Sequence, residues 1–189
     1  MNGQLEDLKK DISGCEKCDL SDNRTQIVVG DGSPGADILF VGEAPGRQED
    51  KKGRPFVGRA GKLLDELLEE IGLEREEVYI TNIVLCRPPK NRNPKDPEIK
   101  NCTGYLDSHI RIVDPDIIVP LGSFATSYIL DKYDLDNGSI SNVHGNLFSV
   151  SNLEGQFKII PQYHPAAALY NPDLKEVLVS DFHKILEVL

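Results

Sequence analysis

The sequence predicts an α/β fold, a three-layer α/β/α sandwich around a central four-stranded, mostly parallel sheet. Three observations lead to it. Apolar, strand-like runs alternate with helix-like segments, the pattern of parallel strands joined by crossover helices. Chemically suggestive residues fall where those runs end: Asp37 to Val41 leads into Gly42-Glu43-Ala44-Pro45-Gly46, Val78 to Thr81 into Asn82, Ile117 to Leu121 into Gly122-Ser123, and Ile159 to Tyr163 into His164-Pro165. With 189 residues and 39% apolar content, the chain can bury a sizeable core, so residues 1–189 are expected to form one domain. The carboxyl ends of parallel strands line one edge, where such folds bind ligands. Four distant segments are therefore expected to converge on one site.

The elements follow in order. A polar helix near residues 3–12 precedes Cys15-Glu16-Lys17-Cys18, and the first strand runs to Val41. Between Gly58 and Gly72, Leu63, Leu64, Leu67, Leu68 and Ile71 recur at the spacing that puts them on one helical face. Asp96-Pro97 starts a helix reaching about Ile112, because proline suits a first turn where its missing N–H costs nothing. Gly122-Ser123 opens a helix through about Leu130. The Gly- and Asn-punctuated stretch from Asn137 to Phe157 reads as short antiparallel strands or a long loop. The fourth main strand ends at His164, and a helix from about Asp173 to Leu189 comes after it.

No apolar stretch approaches the ~20 residues that span a bilayer, and no signal peptide is visible. A soluble, cytoplasmic protein without a membrane partner is expected. The net charge of −10 argues against indiscriminate nucleic-acid binding, because phosphate contacts need cations. Its distribution weakens that objection. Arg47, Lys51, Lys52, Arg54, Arg59 and Lys62 outnumber Glu49 and Asp50, and Arg87, Lys90, Arg92, Lys95 and Lys100 outnumber Asp96 and Glu98. A single charge run usually means solvated surface; two basic segments beside candidate site residues point to a local binding face.

Cys15 and Cys18 form a C-x2-C pair, with Cys86 and Cys102 far downstream. Such a pair suits two thiolates on one metal centre, and two more cysteines complete a tetrad. Spacing leaves zinc and an iron–sulfur cluster both open. Disulfides are the weaker reading in a chain without secretory features, and four unconnected thiols are the other alternative to a tetrad. The tetrad would tie residues 15–18 to the 86–102 loop, bracing the second basic segment.

Gly42-Glu43-Ala44-Pro45-Gly46 with Gln48-Glu49-Asp50, Gly53-Arg54-Pro55-Phe56-Val57-Gly58, Thr81-Asn82-Ile83-Val84 before Cys86-Arg87-Pro88-Pro89, and His164-Pro165-Ala166-Ala167 closely resemble the family 4 uracil-DNA glycosylases. The resemblance runs from Cys15 to about Pro172. It implies the uracil-DNA glycosylase-like fold, removal of uracil from DNA by a monofunctional glycosylase in base excision repair, and a 4Fe–4S cluster on Cys15, Cys18, Cys86 and Cys102, with zinc the alternative.

Such a reaction leaves positive charge on the sugar and negative charge on the departing base, and it needs the nucleotide outside the duplex stack. Phe56 is the stacking candidate, worth roughly 1–3 kcal/mol per base, although a Phe beside a Val is by itself more often core. Asn82 offers a carbonyl and an amide that match the uracil edge and oppose cytosine; the bland alternative is a buried asparagine capping a strand end. His164 donates a hydrogen bond to uracil O2 as charge develops. His109, His144 and His183 are read as structural.

Gly42 and Ala44 belong to the loop beside base and sugar. In family 1 glycosylases an Asp that assists water occupies the position of Ala44, and an aromatic that excludes thymine occupies that of Gly46, so no general base is handed over unchanged. Glu43 is the first carboxylate candidate and Glu49 the second. Ser123 at a helix start, with Arg87, Lys90 and Arg92, is assigned to phosphates. Leu169 or Tyr170 would fill the space vacated in the stack, with helix packing as the alternative for Leu169.

Uracil-containing DNA is the expected partner, with a sliding clamp as a further candidate. Monomeric action is expected because one chain supplies every part. A relative that traps itself on DNA through a histidine is disfavoured, since no His lies between Arg54 and Asn101. A non-catalytic uracil- or DNA-recognition module, or a redox-sensing iron–sulfur module, is the alternative from another class.

Overall fold

The central strands are buried on both sides, as parallel strands covered by helices on both faces must be. The structure, a computed structural model, describes residues 2–152 and 155–189. Strands β2 (Ile38–Gly42), β3 (Tyr79–Asn82) and β4 (Ile117–Pro120) are buried at every residue. With β1 (Asp31–Gly32), β5 (Phe148–Asn152) and β6 (Gly155–Ile159) they form one sheet in the order β1-β3-β2-β4-β6-β5. The β2–β3, β2–β4 and β4–β6 pairs are parallel, whereas both edge pairs, β1–β3 and β5–β6, are antiparallel.

The four-stranded parallel core is thus present, inside a sheet of six strands. The two extra strands are edge additions too short or too polar to read as buried runs. A second correction concerns the fourth main strand, expected over Ile159 to Tyr163. Its ladder starts earlier, at β6, and pairing with β4 runs on past Ile160, with Ile160 N–H donating to Ile118 O (3.1 Å), Gln162 N–H to Pro120 O (2.9 Å) and a parallel bridge between Leu121 and Gln162. The 137–157 stretch holds β5 and the start of β6, as one reading had it, and also a short helix, α6 (Ile140–Val143). Residues 153 and 154 within that stretch lie outside the described residues.

Alternation along β2 divides the core. Ile38 and Phe40 pack with α3 (Arg59–Glu70) and α8 (Asp173–Glu187), through Leu64, Leu67 and Leu68 on α3 and Leu178, Phe182 and Ile185 on α8. Phe40 and Phe182 stack with ring centroids 5.8 Å apart. Leu39 and Val41 face the other layer, where α1 (Asn2–Ser13), α4 (Asp96–Val113) and α5 (Gly122–Lys132) contribute Leu5, Leu8, Ile12, Leu106, Ile110, Ala125 and Ile129. The period-2 alternation of a strand thus feeds two helical layers, the expected sandwich.

The sheet order also fixes where a ligand belongs. The chain leaves β2 for β3 on one side and later returns to β4 on the other, so the direction of winding switches at β2. A crevice opens at the carboxyl ends at such a point. Gly42 there stands beside Asn82, and Val41 beside Pro120.

Candidate active site

Gly42 ends β2 because nothing larger fits. A Cβ on it would lie 2.3 Å from Asn82 Oδ1 and 2.8 Å from the Phe56 ring. The close approach brings Asn82 and Phe56 together at the strand edge. The loop beyond remains tied to the sheet: Ile83 N–H donates to Gly42 O (2.9 Å) and Val84 N–H to Glu43 O (3.1 Å). Glu43, Ala44, Gly46, Glu49, Phe56, Asn82, Arg92 and His164 line one cavity of about 450 Å³, within the size range of small-molecule sites.

His164 caps the one-turn helix α7 (Pro165–Ala168), its Nδ1 accepting from Ala166 N–H at 3.1 Å. Nδ1 is therefore an acceptor, and the proton of the neutral ring sits on Nε2. Loss of hydration pushes the His164 pKa down to about 4, with the charge of Glu49 pulling the other way. At neutral pH the group is a neutral imidazole with a fixed Nε2–H donor. Its ring stacks on Phe56, centroids 5.5 Å apart.

Phe56 has φ +49°, a left-handed conformation costing a side-chain-bearing residue on the order of 1–2 kcal/mol. Glu49 holds part of this turn, Oε1 accepting from Val57 N–H (2.9 Å) and Gly58 N–H (2.8 Å). It sits on α2 (Arg47–Lys52), a helix whose shortness hid it from the hydrophobic pattern. Glu49 thus has a bracing role that its candidacy as a water-assisting carboxylate did not anticipate. Burial pushes the Glu43 carboxyl above its ordinary value.

A neighbouring cleft is lined by Glu43, Asn93, Gly122, Ser123, Phe124 and His164. Glu43 and His164 therefore stand on the boundary between the two hollows, with Ser123 exposed at the start of α5 on the far side.

The chain matches the family model described as "Uracil DNA glycosylase superfamily" over residues 29–187. It is 51% identical over 185 residues to the type-4 uracil-DNA glycosylase of Sulfurisphaera tokodaii, covering 97% of this chain and 84% of that protein. The Archaeoglobus fulgidus type-4 enzyme is 50% identical (97% and 92% covered), and the Thermotoga maritima one 45% identical (95% and 92%). This chain belongs to the type-4 uracil-DNA glycosylase family. The structure distributes the remaining residues assigned from the family motifs unevenly.

Arg92 lines the cavity, but its guanidinium is engaged: it donates to both oxygens of buried Glu98, at 2.6 and 2.9 Å, and to Asn93 O at 2.8 Å. Glu98 also accepts from Lys95 N–H at 2.7 Å at the start of α4, which holds its carboxylate toward Arg92. Arg87 Nε donates to Asn91 Oδ1 (2.6 Å), and Lys90, at φ +56°, is exposed. Leu169 is half-buried against the core, whereas Tyr170 is 84% exposed.

All four cysteines are unpaired and line one separate cavity, together with Arg24 and Val84. Among the described residues, no three His, Cys, Asp or Glu side chains are grouped as ligands of a single metal ion. Donors approach the sulfurs: Leu85 N–H lies 3.4 Å from Cys102 Sγ and Arg24 Nη1 3.5 Å from Cys86 Sγ. Burial pushes the Cys102 thiol up to about 12 and raises Cys86. Four thiols around a shared cavity, met by N–H donors, fit the donor set of an iron–sulfur cluster. Among the described residues no helix is long and apolar enough to cross a membrane.

Proposed function

We propose that this chain flips uracil out of DNA and hydrolyses its N-glycosidic bond as a monofunctional glycosylase, giving free uracil and an abasic site. The observation that carries the reading is the gathering of Phe56, Asn82 and His164 with Glu43 in one cavity at the winding switch of the sheet. Among the described residues no lysine lines that cavity, which favours water over an amine as the nucleophile.

Each group has its part in the reaction. Phe56 stacks on the flipped base. Asn82 accepts from uracil N3–H and donates to O4; cytosine presents an amino group and a bare nitrogen there, so donor meets donor and acceptor meets acceptor. As the C1′–N1 bond breaks, its electron pair goes to the base, and the Nε2–H of neutral His164 meets the charge developing on O2. Glu43, at the boundary of the base cavity, faces the sugar cation and orients the water that adds to C1′. Ser123 and the 87–92 segment hold flanking phosphates, Arg92 as a fixed cation braced by Glu98. Tyr170 fills the vacated stack.

Cys15, Cys18, Cys86 and Cys102 would hold a 4Fe–4S cluster, which would supply a covalent brace between the amino-terminal segment and the 86–102 loop. Residues 1–189 act as one glycosylase domain and as a monomer, a reading supported by a site assembled from a single sheet. The test is single-turnover cleavage of an oligonucleotide bearing one uracil, beside cytosine and thymine versions, with and without alkali. Alkali-dependent scission with uracil alone is expected. No scission from folded, iron-replete protein would overturn the enzymatic reading in favour of a recognition module. Iron with matching acid-labile sulfide is the expected metal content, and zinc would refute the cluster.

A further inference from the structure

Phe56 is held from outside the cavity as well as from within. Arg75 lies in a short turn (Arg75–Glu77) four residues before β3, and its side chain is 12% exposed. Its Nη1 donates to Phe56 O at 3.1 Å and its Nη2 to Pro55 O. The same guanidinium reaches Asp65 Oδ1 on α3 (2.9 Å) and, through Nε, Asp31 Oδ2 (3.1 Å), which Arg54 also contacts. Those two carboxylates fix the plane of the fork. On the opposite side, Glu49 takes the N–H groups of Val57 and Gly58.

The two peptide units that flank Phe56 are therefore both clamped, one through the Pro55 carbonyl and the other through the Phe56 carbonyl and Val57 N–H. Fixing both planes fixes the backbone torsions between them, which is how a phenylalanine stays at φ +49°. A Cβ on Gly61 would lie 1.8 Å from Phe56 O, so α3 is cut away where the turn passes. Arg75 also precedes the strand that ends in Asn82. One side chain thus couples the placement of the aromatic face to the strand that presents the base-edge reader.

We propose that Arg75 is a positioning residue for uracil recognition: it holds the strained Pro55-Phe56 turn so that the Phe56 ring meets the flipped base. This inference rests on the stacking role given to Phe56 above. Lysine is no substitute, because one ammonium cannot present a planar fork to two carbonyls and two carboxylates at once.

The test is a double-mutant cycle read by single-turnover excision, half-saturating DNA concentration and melting temperature. Arg75→Lys is expected to slow excision by roughly 10–100-fold, the scale of an ångström-level misplacement, with DNA half-saturation changed less than about twofold. In a Phe56→Ala background the same substitution should have almost no further effect, since coupled residues are non-additive. Full activity of Arg75→Lys, or an equal loss in both backgrounds, would overturn the proposal. If Arg75→Lys does not fold, Asp65→Asn, a change at a half-exposed partner, should slow excision severalfold in the wild-type background and not in Phe56→Ala. Equal behaviour in the two backgrounds again refutes the inference. The underlying readings fail separately: a wild-type protein without excision refutes the proposed function, and a fully active Phe56→Ala refutes stacking while leaving excision standing.

Discussion

The base cavity and the four-cysteine cavity draw on the same stretch of chain, Asn82 and Pro88 lining the first and Val84 and Cys86 the second, and they are held together differently. In the base cavity the backbone that carries Asn82 and Phe56 and the ring of His164 are fixed by bonds the protein makes to itself: Gly42 beside Asn82 in the sheet, Glu49 under Val57 and Gly58, Ala166 N–H on His164. In the cysteine cavity the donors to sulfur are long, 3.4 and 3.5 Å, and burial keeps the Cys86 and Cys102 thiols protonated unless a metal takes the protons' place. The first region is preorganised by the sheet. The second brings together the amino-terminal segment, the segment after β3 and α4, and there the proposed cluster would supply what hydrogen bonds do not.

The difference is broken most severely by removing a group from the preorganised side. His164→Ala should lower the excision rate by roughly 10²–10³-fold, the usual loss of one donor to a developing anion, while DNA affinity stays near that of the parent and the melting temperature falls slightly with the lost cap on α7. Single-turnover rates beside binding to an uncleavable duplex check this. A loss confined to affinity would show that His164 holds DNA and not the leaving base.

Glu43→Gln should cost roughly 10²-fold, the low end of a positioned acid–base contribution, and it carries a pH signature. Burial raises the Glu43 pKa above 4.5, so the wild-type rate should fall on acidification as this carboxylate takes a proton. His164 stays neutral until the pH approaches about 4, so its own protonation bears only on the acid end of the profile and persists in the glutamine variant. The glutamine variant should therefore lose the acid limb set by residue 43. In stability the sign for His164 is separate: a folded pKa below its ordinary 6.5 means that stability is full above 6.5 and is lost as pH falls from there toward 4. Melting curves at matched pH separate the two effects.

Cys86→Ser tests the other region. Iron should be lost, the melting temperature should fall by several degrees, and DNA affinity should weaken as the 86–102 loop loosens, while the excision rate at saturating DNA drops only a fewfold. Normal metal content with normal affinity would defeat the bracing role. A rate loss as large as that of His164→Ala would show that the two cavities are one mechanical unit.

The contrast also explains what was legible in the sequence. Asn82, Gly42 and His164 could be placed because each sits at or near a strand end, and strand ends are visible as the last residue of an apolar run. The parallel core was legible for the same reason, whereas β1, with two residues, and β5, half-exposed, carry no comparable signal. The start of β6 was missed because Gln156 and Lys158 break its apolar pattern, whereas its continuation toward Gln162 follows the apolar run. Arg75 was invisible: its partners Asp31, Pro55, Phe56 and Asp65 lie 10 to 44 positions away, and no periodicity links them. Arg92 read as a free cation because local charge counting does not show that Glu98 already holds it.

The smallest expected effect lies between two adjacent residues that the sequence could not separate. Leu169 packs against the core beside α7, while Tyr170 stands 84% exposed with its ring in solvent. A side chain that enters the base stack must be free before DNA arrives, and only Tyr170 meets that condition. Tyr170→Ala should slow excision from duplex DNA by about fivefold, at the low end of a stacking contribution of roughly 1–3 kcal/mol. Excision from single-stranded DNA should be unchanged, because no partner strand leaves a gap to fill. Leu169→Ala should do the reverse, lowering the melting temperature through lost apolar burial and slowing both substrates alike. A Tyr170→Ala variant equally slow on both substrates would move the ring from the duplex gap to the general DNA-binding surface.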